Sequence, residues 1–197
     1  MSQSANTLEG RKVTTAHRIN VCALGLTDAH GLDGFTMEDL ADAAGVSRRT
    51  LFNYFPSKVD AVLGREPVIE PALLERFRAG GPHGTLLDDI EVVVAELFAG
   101  DELTRDEADT ARRVVRSTPR LILAVHERFE AAVTEFTSVI LDREGPEFGQ
   151  SRARLLVTLL ASLYDLALDE VLDDPTGRRT MAEAFLDTLR TARDLLA

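Results

Sequence analysis

The sequence predicts an all-α protein, and two observations carry that expectation. Apolar residues recur at spacings of three and four along nearly every segment, and no stretch alternates apolar with polar residues as a half-buried strand would. Gly, Pro and helix-capping residues then punctuate the chain at helix-length intervals. At 197 residues, 45% of them hydrophobic, the chain has material for one large or two small domains with a real core.

The first helix carries Ile19, Cys22, Ala23 and Leu26 on one face and ends at His30-Gly31. Thr36 caps the second, with Asp39 three residues on as a short capping box, and Met37, Leu40, Ala41 and Ala44 form its apolar side. Gly45 ends it, because glycine accepts the left-handed backbone of a helix C-terminus. Val46 fills the corner and Ser47 caps a third helix. Leu51 and Phe55 turn that helix's apolar side inward, leaving Arg48, Arg49, Thr50, Asn53 and Tyr54 on the other side, and Pro56 stops it. Ser57-Lys58 opens a fourth helix through Val59, Val62 and Leu63. Gly64, Pro67 and Pro71 break it, since an interior proline costs a helix about 3 kcal/mol. A further piece, Ala72 to Ala79, ends at Gly80-Gly81-Pro82.

Four or five more helices follow. Thr85 and Asp88 cap one that runs to Gly100, Asp101 caps the next to about Ser117, and Thr118-Pro119 opens another that ends at Gly145-Pro146. A long helix from about Ser151 to Asp173 carries Leu155, Leu159, Leu163 and Leu166, and Asp174-Pro175 is expected to start the last, with Phe185 and Leu189 along it. Both of these are apolar on more than one side, which suits a core on one face and a second subunit on the other.

A short basic, hydroxyl-rich helix held behind a tight turn fits a DNA major groove. Arg48 and Arg49 offer guanidinium forks to guanine edges or phosphates, Ser47, Thr50 and Tyr54 offer hydroxyls, and Lys58 stands where a phosphate clamp would be useful. Taken alone, the turn fits a helical hairpin with a solvated basic face equally well.

The residues themselves resemble a known family. Gly31, Thr36, Ala41, Ala44-Gly45-Val46-Ser47, Thr50-Leu51, Tyr54-Phe55 and Ser57-Lys58 are similar to the DNA-binding segment of TetR-family transcriptional regulators, over about the first third of the chain. Phe52 departs from the family's frequent Tyr and removes one phosphate hydroxyl, and Glu38, Asp39 and Asp42 make the second helix acidic. The resemblance implies an N-terminal three-helix helix-turn-helix DNA-binding domain, residues 1–60, and a C-terminal helical bundle that binds ligand and dimerises, residues 61–197. It places Thr36, Ser47, Arg48, Arg49, Thr50, Phe52, Asn53, Tyr54 and Lys58 at the DNA. The expected partners are a double-stranded operator, a small-molecule effector and a second copy of the chain.

Charge fits this division. The net charge is −11, yet residues 1–65 hold seven basic and seven acidic side chains, so the whole excess lies beyond them. An acidic body is repelled by DNA and helps to orient the neutral head toward it. The single cysteine, Cys22, excludes an internal disulfide and suits a reducing cytoplasm, and neither a signal peptide nor a membrane span is expected.

No enzyme chemistry stands out. The four histidines form no HExxH, no glycine-rich phosphate loop is present, and no cofactor is expected. His126 and Glu130 share a helix face but lack a third ligand nearby, so no metal site is expected. In the bundle, Val94, Phe98, Arg113, Arg116, His126, Phe129 and Tyr164 are the residues that could line an effector pocket, with apolar walls and a cation for a carboxylate or phosphate. The expected function is a ligand-responsive dimeric repressor, released when the effector shifts the spacing of its two heads. The alternative is a helical dimer with a vestigial head that binds a small molecule or a protein.

Overall fold

A computed structural model describes residues 2–66, 68–98, 104–174, 176 and 178–196, with the side chains of those between 14 and 195. The described residues form ten α-helices and one 3-10 turn, with no strand among them. The helices are α1 (Ser2–His30), α2 (Met37–Ala43), α3 (Arg48–Tyr54), α4 (Lys58–Leu63), α5 (Pro71–Arg78), α6 (Leu86–Leu97), α7 (Arg105–Ser117), α8 (Pro119–Glu144), α9 (Gln150–Asp173) and α10 (Met181–Leu196).

The break expected after residue 63 is present. Gly64 takes a φ of +71° at the end of α4, and Pro71 begins α5 at a position where a helix needs no N–H. Two starts differ from expectation. Helix α7 is capped by Thr104, whose hydroxyl accepts from the Glu107 N–H while Glu107 returns a bond to the Thr104 N–H; Asp101 lies outside the described residues. Helix α10 begins at Met181, not at Asp174-Pro175. The Asp174 carboxylate is spent on the N–H groups of Thr176, Arg178 and Arg179, which holds a loop, and Thr180 with Glu183 makes the capping box instead. Pro175 lies outside the described residues.

The chain divides into two compact units. One comprises residues 1–66 and 103–126, the other residues 67–102 and 127–197. The first therefore takes in α7 and the opening turns of α8, which sequence reading groups with the bundle. Its core joins Ala16, Ile19, Ala23 and Leu24 of α1 to Leu32, Phe35, Leu40, Leu51, Phe55, Ala61 and Val62, with Val114 and Leu121 added from α7 and α8. Cys22 is half-buried against this core, as a small apolar residue, and burial pushes its thiol pKa up despite the nearby Arg18. Ion pairs fasten α7 and α8 within the same unit: Arg113 forks onto Asp28 at 2.8 and 3.0 Å, and Arg120 meets Asp33 at 2.9 Å.

The second unit packs Phe77, Ile90, Val94, Val139, Ala167, Met181, Ala184, Phe185 and Leu189 into one cluster, and Val133, Ile140, Ala153 and Val157 into another. It also buries a charge pair. Arg143 and Asp89 are 2% and 0% exposed, and their side chains meet at 2.6 Å. Arg143 also donates to the carbonyls of Phe77 and Gly81 and lies over the Phe77 ring, while Asp89 accepts from the His83 and Gly84 N–H groups. Every polar edge of the pair thus has a partner, which a buried ion pair requires.

Candidate nucleic-acid interface

The turn between α2 and α3 is built as its sequence dictates. The Thr36 N–H donates to Asp39 at 2.7 Å and the Asp39 N–H donates back to the Thr36 hydroxyl at 3.1 Å, so the capping box is complete although aspartate is the shorter acid. At the other end of α2, Val46 N–H bonds the Ala41 carbonyl and Gly45 N–H bonds the Asp42 carbonyl. That pair of bonds is a Schellman motif, and it needs Gly45 at its φ of +63°. Upstream, Gly34 has no alternative either: a Cβ there would lie 2.1 Å from the His30 carbonyl oxygen. Ser47 then caps α3, accepting from the Thr50 N–H at 3.0 Å.

Helix α3 splits into two faces. Leu51 and Phe55 are buried, and Tyr54 packs partly on the same core. Arg48, Arg49, Phe52 and Asn53 are exposed. Arg49 and Asn53, one turn apart, make no hydrogen bond or ion pair among the described residues, so both are unengaged. Arg48 reaches Glu38 of α2 at 2.7 Å and lies 5.6 Å from the centre of the Phe52 ring. Both partners of that ion pair are about two-thirds exposed, so it stabilises little and can be exchanged for a phosphate. The Phe that removes a hydroxyl from this face supports an arginine there instead. The Thr50 hydroxyl is shared with Ser47 at 2.8 Å.

Lys58 is tied into the fold as well. Its ammonium donates to the carbonyls of Leu32 and Phe35 at 2.6 and 2.8 Å and sits 4.9 Å from the Phe35 ring centre. Two of its three N–H donors are committed inside the fold. Sequence reading also passed over Asn20, which is 8% exposed and donates to the carbonyls of Ala61 and Val62, both at 2.8 Å. The signal was a lone amide beside Ile19 in the apolar stripe of α1.

These residues lie in a segment that known proteins share. Residues 22–62 match the sequence profile of the bacterial regulatory proteins of the tetR family. Over these residues the chain is similar to that family. A candidate mycofactocin biosynthesis transcriptional regulator, MftR of Mycobacterium tuberculosis, is 48% identical over 48 residues, which is 24% of each chain. The HTH-type transcriptional regulator CymR of Pseudomonas putida is 29% identical over 108 residues, 53% of each chain. The chain thus matches about half the length, or less, of these curated relatives. A transcriptional regulator of Rhodococcus sp. Rha1 is 18% identical in its crystal structure, with a TM-score of 0.45 over 89% of this chain and 94% of that one.

The seven residues singled out for an effector fall in both units. Val94, Phe98 and Tyr164 come together in the second unit, where Phe98 stacks on Tyr164 at 5.6 Å and meets Phe185 at 5.8 Å. From the sequence Phe185 is expected only as one of the apolar residues of the last helix. Phe129 packs in the other cluster, with Val133 and Phe136. Arg113, Arg116 and His126 belong to the first unit. Arg113 is held by Asp28 within that unit, and Arg116 and His126 are exposed. Glu130, the companion of His126 in the metal reading, pairs with Arg154 at 2.9 Å.

Proposed function

We propose that this TetR-family chain is a cytoplasmic, dimeric repressor that binds a double-stranded operator through α3 and is released from it by a small molecule. The observation that carries the reading is the face of α3. Arg49 and Asn53 are exposed and unengaged, Arg48 is loosely held, and the helix behind them is fixed by a Ser47 cap and a Schellman turn. Side chains that are free on a backbone that is not are what base-edge recognition requires. The two curated relatives matched over this segment are named as transcriptional regulators, which supports the same assignment.

Dimerisation is supported by α9. Leu155, Leu159 and Leu166 lie four and seven residues apart and are 60%, 45% and 55% exposed, while Ala153, Val157, Ala167 and Leu172 fill the core side. A second copy covering that stripe would pair the two heads, and a two-fold protein reads half-sites about 34 Å apart per helical turn. The effector would act by favouring a dimer whose heads no longer fit that spacing. The aromatic group of Phe98, Tyr164 and Phe185 is the best candidate for its contact surface. Selection of bound sequences from random DNA, with and without candidate effectors, tests the whole reading. Enrichment of a palindrome that an effector abolishes is the expected result; no enriched sequence would leave the head vestigial.

A further inference from the structure

Helix α3 carries two arginines, and the two are treated differently by the fold. Arg49 makes no hydrogen bond or ion pair among the described residues. Arg48 donates from Nη1 to the Glu38 carboxylate at 2.7 Å, and the carbon of its guanidinium lies 5.6 Å from the centre of the Phe52 ring. Glu38 stands ten residues back, on the other helix of the turn, and Phe52 stands one turn further along α3. Two contacts from two helices therefore set where the guanidinium lies and how it faces. Only one of its N–H donors is taken by Glu38, out of the five that a guanidinium carries.

The other two acids of α2 have no such role. Asp39 is spent on the N–H and hydroxyl of Thr36, and Asp42 is exposed. The Arg48–Glu38 pair adds little to stability, since its side chains are 64% and 66% exposed. Its use lies in what happens when DNA arrives.

Charge separates the two things that Arg48 could serve. The intact pair is neutral, so it displaces few counterions from a phosphate backbone. Moving Arg48 wholly to a phosphate leaves the Glu38 carboxylate unpaired against the same polyanion. A guanine edge makes a different demand. It offers two acceptors, O6 and N7, to two N–H donors of a fork, and the fork can supply them while Nη1 stays on Glu38. The ring beneath adds a second restraint on the plane of the fork.

We propose that Glu38 is a positioning residue that determines specificity: it holds Arg48 over Phe52 as a base-reading fork, so that Arg48 discriminates one G·C pair of the operator instead of tightening binding to any DNA. The inference rests on the reading of α3 as the operator-binding helix.

The test uses the full chain, a duplex that it selects from random DNA, and the same duplex with each G·C pair exchanged in turn for A·T. One exchange should weaken binding of the unmodified protein, and Arg48→Ala should reduce that penalty by about tenfold. Glu38→Ala should reduce the same penalty by about threefold, with the other positions keeping theirs. In an Arg48→Ala background Glu38→Ala should change it no further, because the carboxylate acts through the guanidinium. Asp42→Ala is the charge control. It removes the same unit of charge from an exposed position of the same helix, and it should leave the penalty untouched. A Glu38→Ala protein that binds the operator more tightly and keeps the full penalty overturns the proposal, since Glu38 would then act by repulsion alone. An Arg48→Ala protein with a salt slope lower by about one and every base preference intact overturns it too, since Arg48 would then be a phosphate contact. Should the unmodified protein select no sequence, the operator reading fails and takes this inference with it. A selected sequence without an Arg48-dependent pair sinks this inference alone.

Discussion

Residues 14–66 hide their apolar side chains where the second unit displays them. Among residues 14–66, Phe52 is the only large hydrophobic side chain left exposed, and Arg48 lies over its ring. On α9 three leucines face outward on one stripe. The polar chemistry is reversed as well. In residues 14–66, uncharged caps and a half-buried lysine close short helices end by end. In the second unit a fully buried Arg143–Asp89 pair ties α6, α8 and the turn after α5. Short helices of six or seven residues need such local closure, because each has too few turns to hold by packing alone. The long α9 is held along its core side and leaves three leucines exposed on its other side.

The comparison can be broken most forcefully at the buried charges. Asp89→Ala or Arg143→Met leaves its partner's charge buried and unpaired, and unfolding of the second unit in urea should lose about 3–5 kcal/mol. Burial pushes the Asp89 carboxyl up, but the bonds from the His83 N–H, Arg143 and the Gly84 N–H outweigh it and hold the pKa below the usual aspartate value. The folded pKa is therefore below the unfolded one. Its stabilisation is complete above about pH 3.9 and disappears as pH falls through the folded value. Asp89→Asn should accordingly lose less stability than the unmodified protein between pH 4 and pH 2, a difference that thermal unfolding across that range measures.

Two leucines separate core from interface. Leu189 is 6% exposed, so Leu189→Asp should unfold the second unit. Leu159 is 45% exposed, so Leu159→Asp should keep helical content and sediment as a monomer at micromolar concentration. A Leu159→Asp protein that stays dimeric would remove α9 from the interface. Leu163 is half-buried against the second unit's core and tests both properties at once. The smallest effect is expected at the cap of α3: Ser47→Ala should cost the first unit about 1 kcal/mol by removing the acceptor for the Thr50 N–H.

Helix content and the turn were legible because their causes are local. Thr36, Gly45 and Ser47 act on groups within five residues, and each does in the structure what its type and position imply. What escaped sequence reading acts over distance. Asn20 finds its acceptors 41 and 42 residues away, Arg143 reaches Asp89 across 54, and Arg113 reaches Asp28 across 85. No periodicity reports such pairs. The two carbonyl partners of Lys58 were hidden for the same reason, since they lie 23 and 26 residues earlier. The start of α10 slipped because an aspartate before a proline resembles a helix cap, yet Asp174 caps a loop.

The exposed face of α3 is the centre of the account, and titration of a selected operator with the Arg48→Ala, Arg49→Ala double variant tests it most directly. Both side chains point away from the core, so circular dichroism and the unfolding midpoint should stay near those of the unmodified protein. Affinity should fall by about 1–3 kcal/mol for each base contact removed, and the salt slope by about one for each phosphate contact removed. Operator binding of unchanged affinity and unchanged salt dependence, with the fold intact, would contradict the assignment of α3 as the DNA-reading helix.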